Sequence, residues 1–184
     1  DPSLSKMIER VSYDQIYDEH AHIFSVIALS KVLEKAGLEI FKVENLKVHG
    51  GSNRIYACHK DKRIIDASVK KAIKYEKELG LDLLETYMNF AKNVADSKRS
   101  LWAQLDQIKK SGKKIVSYGA TSKSTTVFNY CKIGPNVIDY IVDTTPEKQE
   151  KLSPGMHIPI VSPDIGFDKS VDIAFLGAWN FSKE

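Results

Sequence analysis

Apolar residues recur at helical spacing over residues 26–33, as Val26, Ile27, Leu29, Val32 and Leu33. Gly37 follows where such a helix would close, with Lys31 and Lys35 in its last turns. The period then changes. Residues 38–44 and 53–59 alternate apolar and polar side chains, which predicts two half-buried strands. Between them Val48-His49-Gly50-Gly51-Ser52 is a glycine turn that brings the strands together. A helix and a strand pair are too small to carry a core of their own. From residue 66 to 110 the helical period returns almost unbroken. A first helix carries Val69, Ile73 and Glu76 and ends near Gly80; a second is predicted to run roughly 30 residues, about 45 Å. Its stripe of Leu83, Leu84, Tyr87, Phe90, Ala91, Val94, Leu101 or Trp102, Leu105 and Ile108 reads as packing. That length suits a connector between two bodies.

Ser111-Gly112 ends the helix, and the pattern becomes strand, turn, helix, strand. Residues 114–118 and 137–142 are predicted strands, separated by a turn at 119–124 and a helix at 125–131 that Gly134 closes. Residues 157–161 and 171–176 are further strands. A strand–helix–strand crossover of this kind is right-handed and builds a parallel, Rossmann-like sheet, so the fold class is α/β.

Composition narrows the picture. The chain has 184 residues, 42% hydrophobic and 28% charged, which is the balance of a globular protein. No apolar stretch approaches the ~20 residues that span a bilayer, so a soluble protein without a membrane partner is expected. The opening Asp1-Pro2-Ser3-Leu4 has neither the basic nor the apolar region of a signal peptide and no initiator Met, so an excised piece of a longer chain is expected. Cys58 and Cys131 fit a reducing, cytoplasmic setting and form no C-x-x-C pair, so no metal site is predicted. The net charge of +3 is too small to point to nucleic acid. The short clusters Lys60, Lys62, Arg63 and Lys113, Lys114 read as solvated.

Four stretches carry candidate chemistry. Residues 13–22 hold two tyrosines, three carboxylates and two histidines. A histidine beside a glutamate and near a phenol can move a proton at neutral pH, since imidazole titrates near pH ~6.5. The alternative is a polar turn that leads into a helix. His20 and His22 would diverge on a helix and lack metal-ligand spacing. In Gly119-Ala120-Thr121-Ser122-Lys123-Ser124 a glycine permits a tight turn after a strand, the hydroxyls can cap a helix, and Lys123 adds charge where an anion would sit. The stretch matches neither a Walker A loop nor G-x-G-x-x-G, so an NTPase and an NAD-linked reductase lose support. A capped turn without ligand is the other reading. Asp143, at the end of a strand, either accepts a ribose hydroxyl or caps the turn that Pro146 opens. His49 and Gly50 with Arg54 either approach a substrate or form an incidental hairpin. His157 reads as structural.

Taken in order, these stretches resemble one family over nearly the whole chain, the nucleotide-ketosugar C-methyltransferases. The residues that carry the resemblance are Tyr13-Asp-Gln-Ile-Tyr-Asp-Glu-His20, Val48-His-Gly-Gly-Ser52 with Arg54, Tyr118-Gly-Ala-Thr-Ser-Lys123, Val142-Asp-Thr-Thr-Pro-Glu-Lys-Gln149 and Pro154-Gly-Met-His-Ile-Pro159. The resemblance implies that residues 1–65 are the C-terminal end of a class I, S-adenosylmethionine-dependent methyltransferase domain, contributing its terminal helix and β-hairpin. Residues 66–184 would be a helical connector and a Rossmann-like C-terminal domain. Neither the family's N-terminal zinc module nor a glycine-rich loop for S-adenosylmethionine is present, so this stretch alone is not expected to methylate.

The implied reaction is removal of a proton beside a ketone of a nucleotide-linked deoxysugar, then attack of the enolate on the methyl group of the sulfonium. The resemblance assigns the base to His20, with Glu19 orienting the ring and Tyr17 donating to the oxyanion. It assigns the nucleotide-diphosphate sugar to His49, Gly50, Arg54, Gly119, Thr121, Lys123 and Asp143. The alternative is a non-catalytic module that binds a nucleotide sugar.

Overall fold

The computed structural model describes residues 2–179, without the side chain of His49. The chain forms two compact units, one of Asp1–Ser12 and Asp18–Val94, the other of Tyr13–Tyr17 and Ala95–Glu184.

The first unit is built on an antiparallel strand pair. Helix α1 (Leu4–Arg10) precedes the 3-10 turns Tyr13–Gln15 and Asp18–His20, and helix α2 (Val26–Lys35) follows them. Strands β1 (Leu38–Leu46) and β2 (Ser52–His59) pair from Leu38 opposite His59 to Leu46 opposite Ser52. The register shifts between Ile40 and Lys42, and there the Phe41 carbonyl accepts the Asp66 N–H at 2.9 Å. Asp66 in turn caps helix α3 (Ala67–Glu78) by accepting from the Ser68 N–H. Val26, Ile40, Val43 and Val69 form the buried core of these elements. A second cluster joins Leu4, Met7 and Leu81 to Tyr87 and Phe90 of helix α4 (Leu84–Lys110).

The second unit takes over the later turns of the same helix. Leu105 is buried with Ile115, Phe128, Cys131, Ile133, Ile138, Ile141 and Ile158, and Leu101, Trp102 and Ile108 pack around them. Its sheet contains β3 (Ile115–Tyr118), β4 (Ile141–Val142), β5 (Ile160–Val161) and β6 (Ile173–Leu176) in the order β5-β4-β3-β6, all pairs parallel. Helix α5 (Ser122–Cys131) crosses from β3 to β4, and the short α6 (Pro163–Gly166) lies between β5 and β6. Numbered within the sheet the order is 3-2-1-4, the first half of a doubly wound fold, and the order reverses between β3 and β6.

The expected α/β class with a parallel sheet is what the chain adopts, after a helix and a β-hairpin. The elements differ in extent. The long helix has 27 residues, about 40 Å. The strand expected over residues 137–142 shrinks to Ile141–Val142, because Val137 and Ile138 instead bond back to the Gly134 carbonyl in a turn. Helix α5 begins three residues before its expected start at Thr125, since Thr121 and Ser124 cap each other. Helices α1 and α6 were not expected. The two units part between Val94 and Ala95, within α4, so residue 65 falls inside the first. No described helix is long and apolar enough to cross a membrane.

Candidate active site

Strand β3 delivers a buried backbone to the point where the sheet order reverses. Its Ile115, Val116 and Ser117 have no exposed surface, and Gly119 follows with φ of 93°, a conformation that favours glycine. A methyl group on Gly119 would lie 2.9 Å from the Ala178 side chain; one on Gly177 would lie 2.6 Å from the Gly119 carbonyl oxygen. Two glycines thus let the loops after β3 and β6 touch. Thr121 Oγ1 bonds the Gly177 carbonyl at 2.9 Å, and Ser124 Oγ donates to the Gly119 carbonyl at 3.0 Å. Thr121 also accepts the Ser124 N–H at 3.1 Å, closing a capping box. By helix geometry the N–H groups of Ser122 and Lys123 have no intrahelical acceptor, so the start of α5 carries the partial positive charge that favours an anion.

Asp143 stiffens the same turn. Its buried carboxylate accepts the Ala120 N–H at 2.7 Å and the Thr145 N–H at 2.8 Å, and Lys148 Nζ lies 3.4 Å away. Burial pushes the Asp143 carboxyl up, but the Thr145 and Ala120 amides and the Lys148 charge outweigh it and hold it below the usual range. Asp143 therefore ties the ends of β3 and β4 together in this structure, with both carboxylate oxygens already accepting hydrogen bonds.

Lys123 is the departure from a simple phosphate loop. Only 6% of it is exposed, and its ammonium has no hydrogen-bond partner among the described residues. It sits over the Tyr17 ring, 5.6 Å from the centroid. Burial pushes its amine down, and the Asp14 charge partly offsets this.

Tyr17 reaches Lys123 because residues 13–17 pack against α5. The Tyr13 hydroxyl lies 3.4 Å from Cys131 Sγ, and its ring meets Tyr130 edge-on at 5.3 Å. Trp179 Nε1 donates to Asp14 Oδ2 at 2.7 Å, and Thr126 Oγ1 donates to the Ile16 carbonyl at 3.2 Å. Burial, and then Cys131, push the Tyr13 phenol far up, so Tyr13 stays protonated.

Glu19 and His20 fall in the first unit, in the turn Asp18–His20. Glu19 is exposed and His20 half-buried. Downstream, α2 is anchored by two side chains. Ser25 accepts the Ala28 N–H at 2.9 Å, and Glu76 of α3 accepts the N–H groups of Val26 and Ile27 at 2.8 and 2.9 Å. Glu76 is buried, which pushes its carboxyl up against the opposing pull of those amides. Sequence reasoning placed Glu76 only as the end of an apolar stripe; a carboxylate at i+7 from Val69 was the signal that it caps something.

The glycine turn at 48–51 borders a cavity of about 490 Å³ lined by Lys6, Arg10, Lys47, Gly50, Gly51 and Asn53 among others. The Gly50 carbonyl accepts from Arg10 Nη1. Arg54 lies on β2 and pairs with Glu44 at 3.8 Å. The His49 side chain lies outside the described residues. Among the described residues no group of three or more His, Cys, Asp or Glu is placed to hold a metal.

The family model described as the C-methyltransferase C-terminal domain matches residues 47–184. Among curated proteins, the C-methyltransferase NovU of Streptomyces niveus is 30% identical over 185 residues, a span that covers all of this chain and 44% of that protein. The chain thus spans less than half the length of that relative.

Proposed function

The chain belongs to the C-methyltransferase family defined by that C-terminal domain, and from this premise we propose that it is the C-terminal part of an S-adenosylmethionine-dependent enzyme that methylates a carbon of a nucleotide-linked keto-deoxysugar. Residues 1–65 are, on this reading, the end of the methyltransferase domain, and 66–184 the connector and C-terminal domain of a cytoplasmic protein. S-adenosylmethionine would supply the methyl group as a sulfonium, and among the described residues no group of three or more His, Cys, Asp or Glu is placed to hold a metal.

The work of this chain is proton transfer and binding. A hydrogen beside a ketone is acidic enough for a positioned base, and neutral His20 is the base we assign. Glu19 orients the imidazole or stabilises its protonated form. Tyr17 donates a hydrogen bond to the oxygen on which charge develops. The nucleotide diphosphate is assigned to the turn of Gly119, Thr121, Lys123 and Asp143, where Lys123 contributes its main-chain N–H at the start of α5 rather than its enclosed ammonium. His49, Gly50 and Arg54 are assigned to the sugar nucleotide as well. The observation that carries this reading is the packing of residues 13–17 on α5. It puts Tyr17 and the nucleotide turn in one compact unit.

In the full-length enzyme, His20→Asn is expected to lower turnover by at least the ~10²–10⁴-fold typical of a general base, while sugar-nucleotide binding stays nearly intact. Unchanged turnover removes His20 from the role. The second reading, a module that only binds a nucleotide sugar, is favoured by how completely the β3–α5 turn is preorganised. Ser122→Pro addresses the turn directly. Proline is tolerated at a first helical position, and Thr121 already has the extended backbone (φ −101°, ψ 160°) that precedes it well. Only one N–H is lost. Calorimetry with a nucleoside diphosphate should then show weaker binding; equal binding rules out the α5 amides as the anion site.

A further inference from the structure

Buried amines are rarely left without an acceptor, since an unmet buried donor is costly and a buried charge more so. Lys123 has that arrangement. Its ammonium has no hydrogen-bond partner among the described residues, and its nearest described aromatic partner is the face of Tyr17. The groups that face it are the Tyr17 ring and Asp14, whose charge supports the protonated form. Asp14 is itself held by Trp179, and Tyr13 of the same turn is held by Cys131 and Tyr130. The ring is therefore presented to the ammonium by a clamped segment, at a separation within the ~6 Å over which a cation is attracted to an aromatic face.

We propose that Lys123 is a positioning residue for Tyr17, whose ammonium fixes the ring and stabilises the negative charge that gathers on the phenol oxygen as Tyr17 donates to the developing enolate. Its charge acts through Tyr17 rather than as a direct ligand of the diphosphate. The geometry favours this over a phosphate contact. A lysine that grips a diphosphate needs its tip in an open groove, and this tip is enclosed under an aromatic ring. The effect is electrostatic and comes from an ammonium that is itself shielded from water, where a charge counts for more than at a surface. The proposal rests on the catalytic role assigned to Tyr17.

The test is a double-mutant cycle in the full-length enzyme with Lys123→Met and Tyr17→Phe. Methionine keeps the chain volume and removes the charge; phenylalanine keeps the ring and removes the hydroxyl. Lys123→Met is expected to lower kcat about 10- to 100-fold, less than the ~10²–10³ of deleting an oxyanion donor outright. KM and the affinity for a nucleoside diphosphate should hardly change, and the alkaline limb of the kcat profile should move to higher pH. In the Tyr17→Phe background the same change should add nothing. Melting should not fall, because a buried charge that lacks a hydrogen-bond acceptor is removed. Equal losses in both backgrounds, or a loss confined to KM and diphosphate affinity, overturn the proposal. If Tyr17→Phe slows turnover and Lys123→Met does not, this proposal alone fails. If Tyr17→Phe leaves turnover unchanged, the role of Tyr17 fails and the proposal falls with it.

Discussion

Tyr13-Asp14-Gln15 and Tyr17-Asp18-Glu19 are near-copies of each other, four residues apart. The first copy is enclosed, with 9%, 6% and 1% of its three residues exposed. In the second, Tyr17 is half-buried and Asp18 and Glu19 face solvent. One aspartate anchors the Trp179 indole; its counterpart opens an exposed 3-10 turn. Side chains of the same chemistry are thus enclosed in one place and left open to solvent in the other. What differs is the cover that helix α5 provides, since Tyr13 packs against Tyr130 and Cys131 of that helix while Asp18 and Glu19 face solvent.

Substitutions in each copy test that division. The largest effect on stability is expected from Tyr13→Ala, which empties a buried ring site and removes the hydroxyl contact with Cys131. A loss of about 3 kcal/mol follows from the usual cost of truncating a buried aromatic, read as a lower midpoint in chemical denaturation of the second unit. A loss near zero would show that the first copy is not framework. A smaller effect separates the two aspartates. Asp14→Ala leaves the Trp179 N–H without its acceptor and should cost about 1–2 kcal/mol, whereas Asp18→Ala, at a surface position, should stay within about 0.5 kcal/mol. Equal values for the pair would erase the distinction.

The same contrast shows how far sequence alone reaches. Helix α2 and the β1–β2 hairpin were legible because period, caps and glycines sit within a few residues of one another. The parallel sheet was legible from the order of its elements. The start of α5 was missed because Ser124 occupies the capping-box position where glutamate or glutamine is the usual signal. Asp143 was equally consistent with ribose binding and with capping. Its bond to the Ala120 amide joins residues 23 apart, and no local pattern encodes that. Lysine is normally a surface residue, so the enclosure of Lys123 could not be read from its neighbours in sequence. The burial of the first tyrosine copy depends on a helix more than a hundred residues downstream.

The passage of the chain into the second unit at Tyr13 and out again after Tyr17 has a consequence for cutting the molecule apart. The Rossmann-like unit is made of two separate lengths of polypeptide, and no single break in the backbone yields it whole. A piece that begins at Ala95 lacks the side chains that cover Cys131, Tyr130 and the Trp179 indole. Conversely, a protease that nicks the turn at Asp18–His20 severs the backbone while those contacts still tie residues 13–17 to helix α5 and Trp179. The unit is built like a complementation pair, in which residues 13–17 are the missing part of a body that resumes at Ala95.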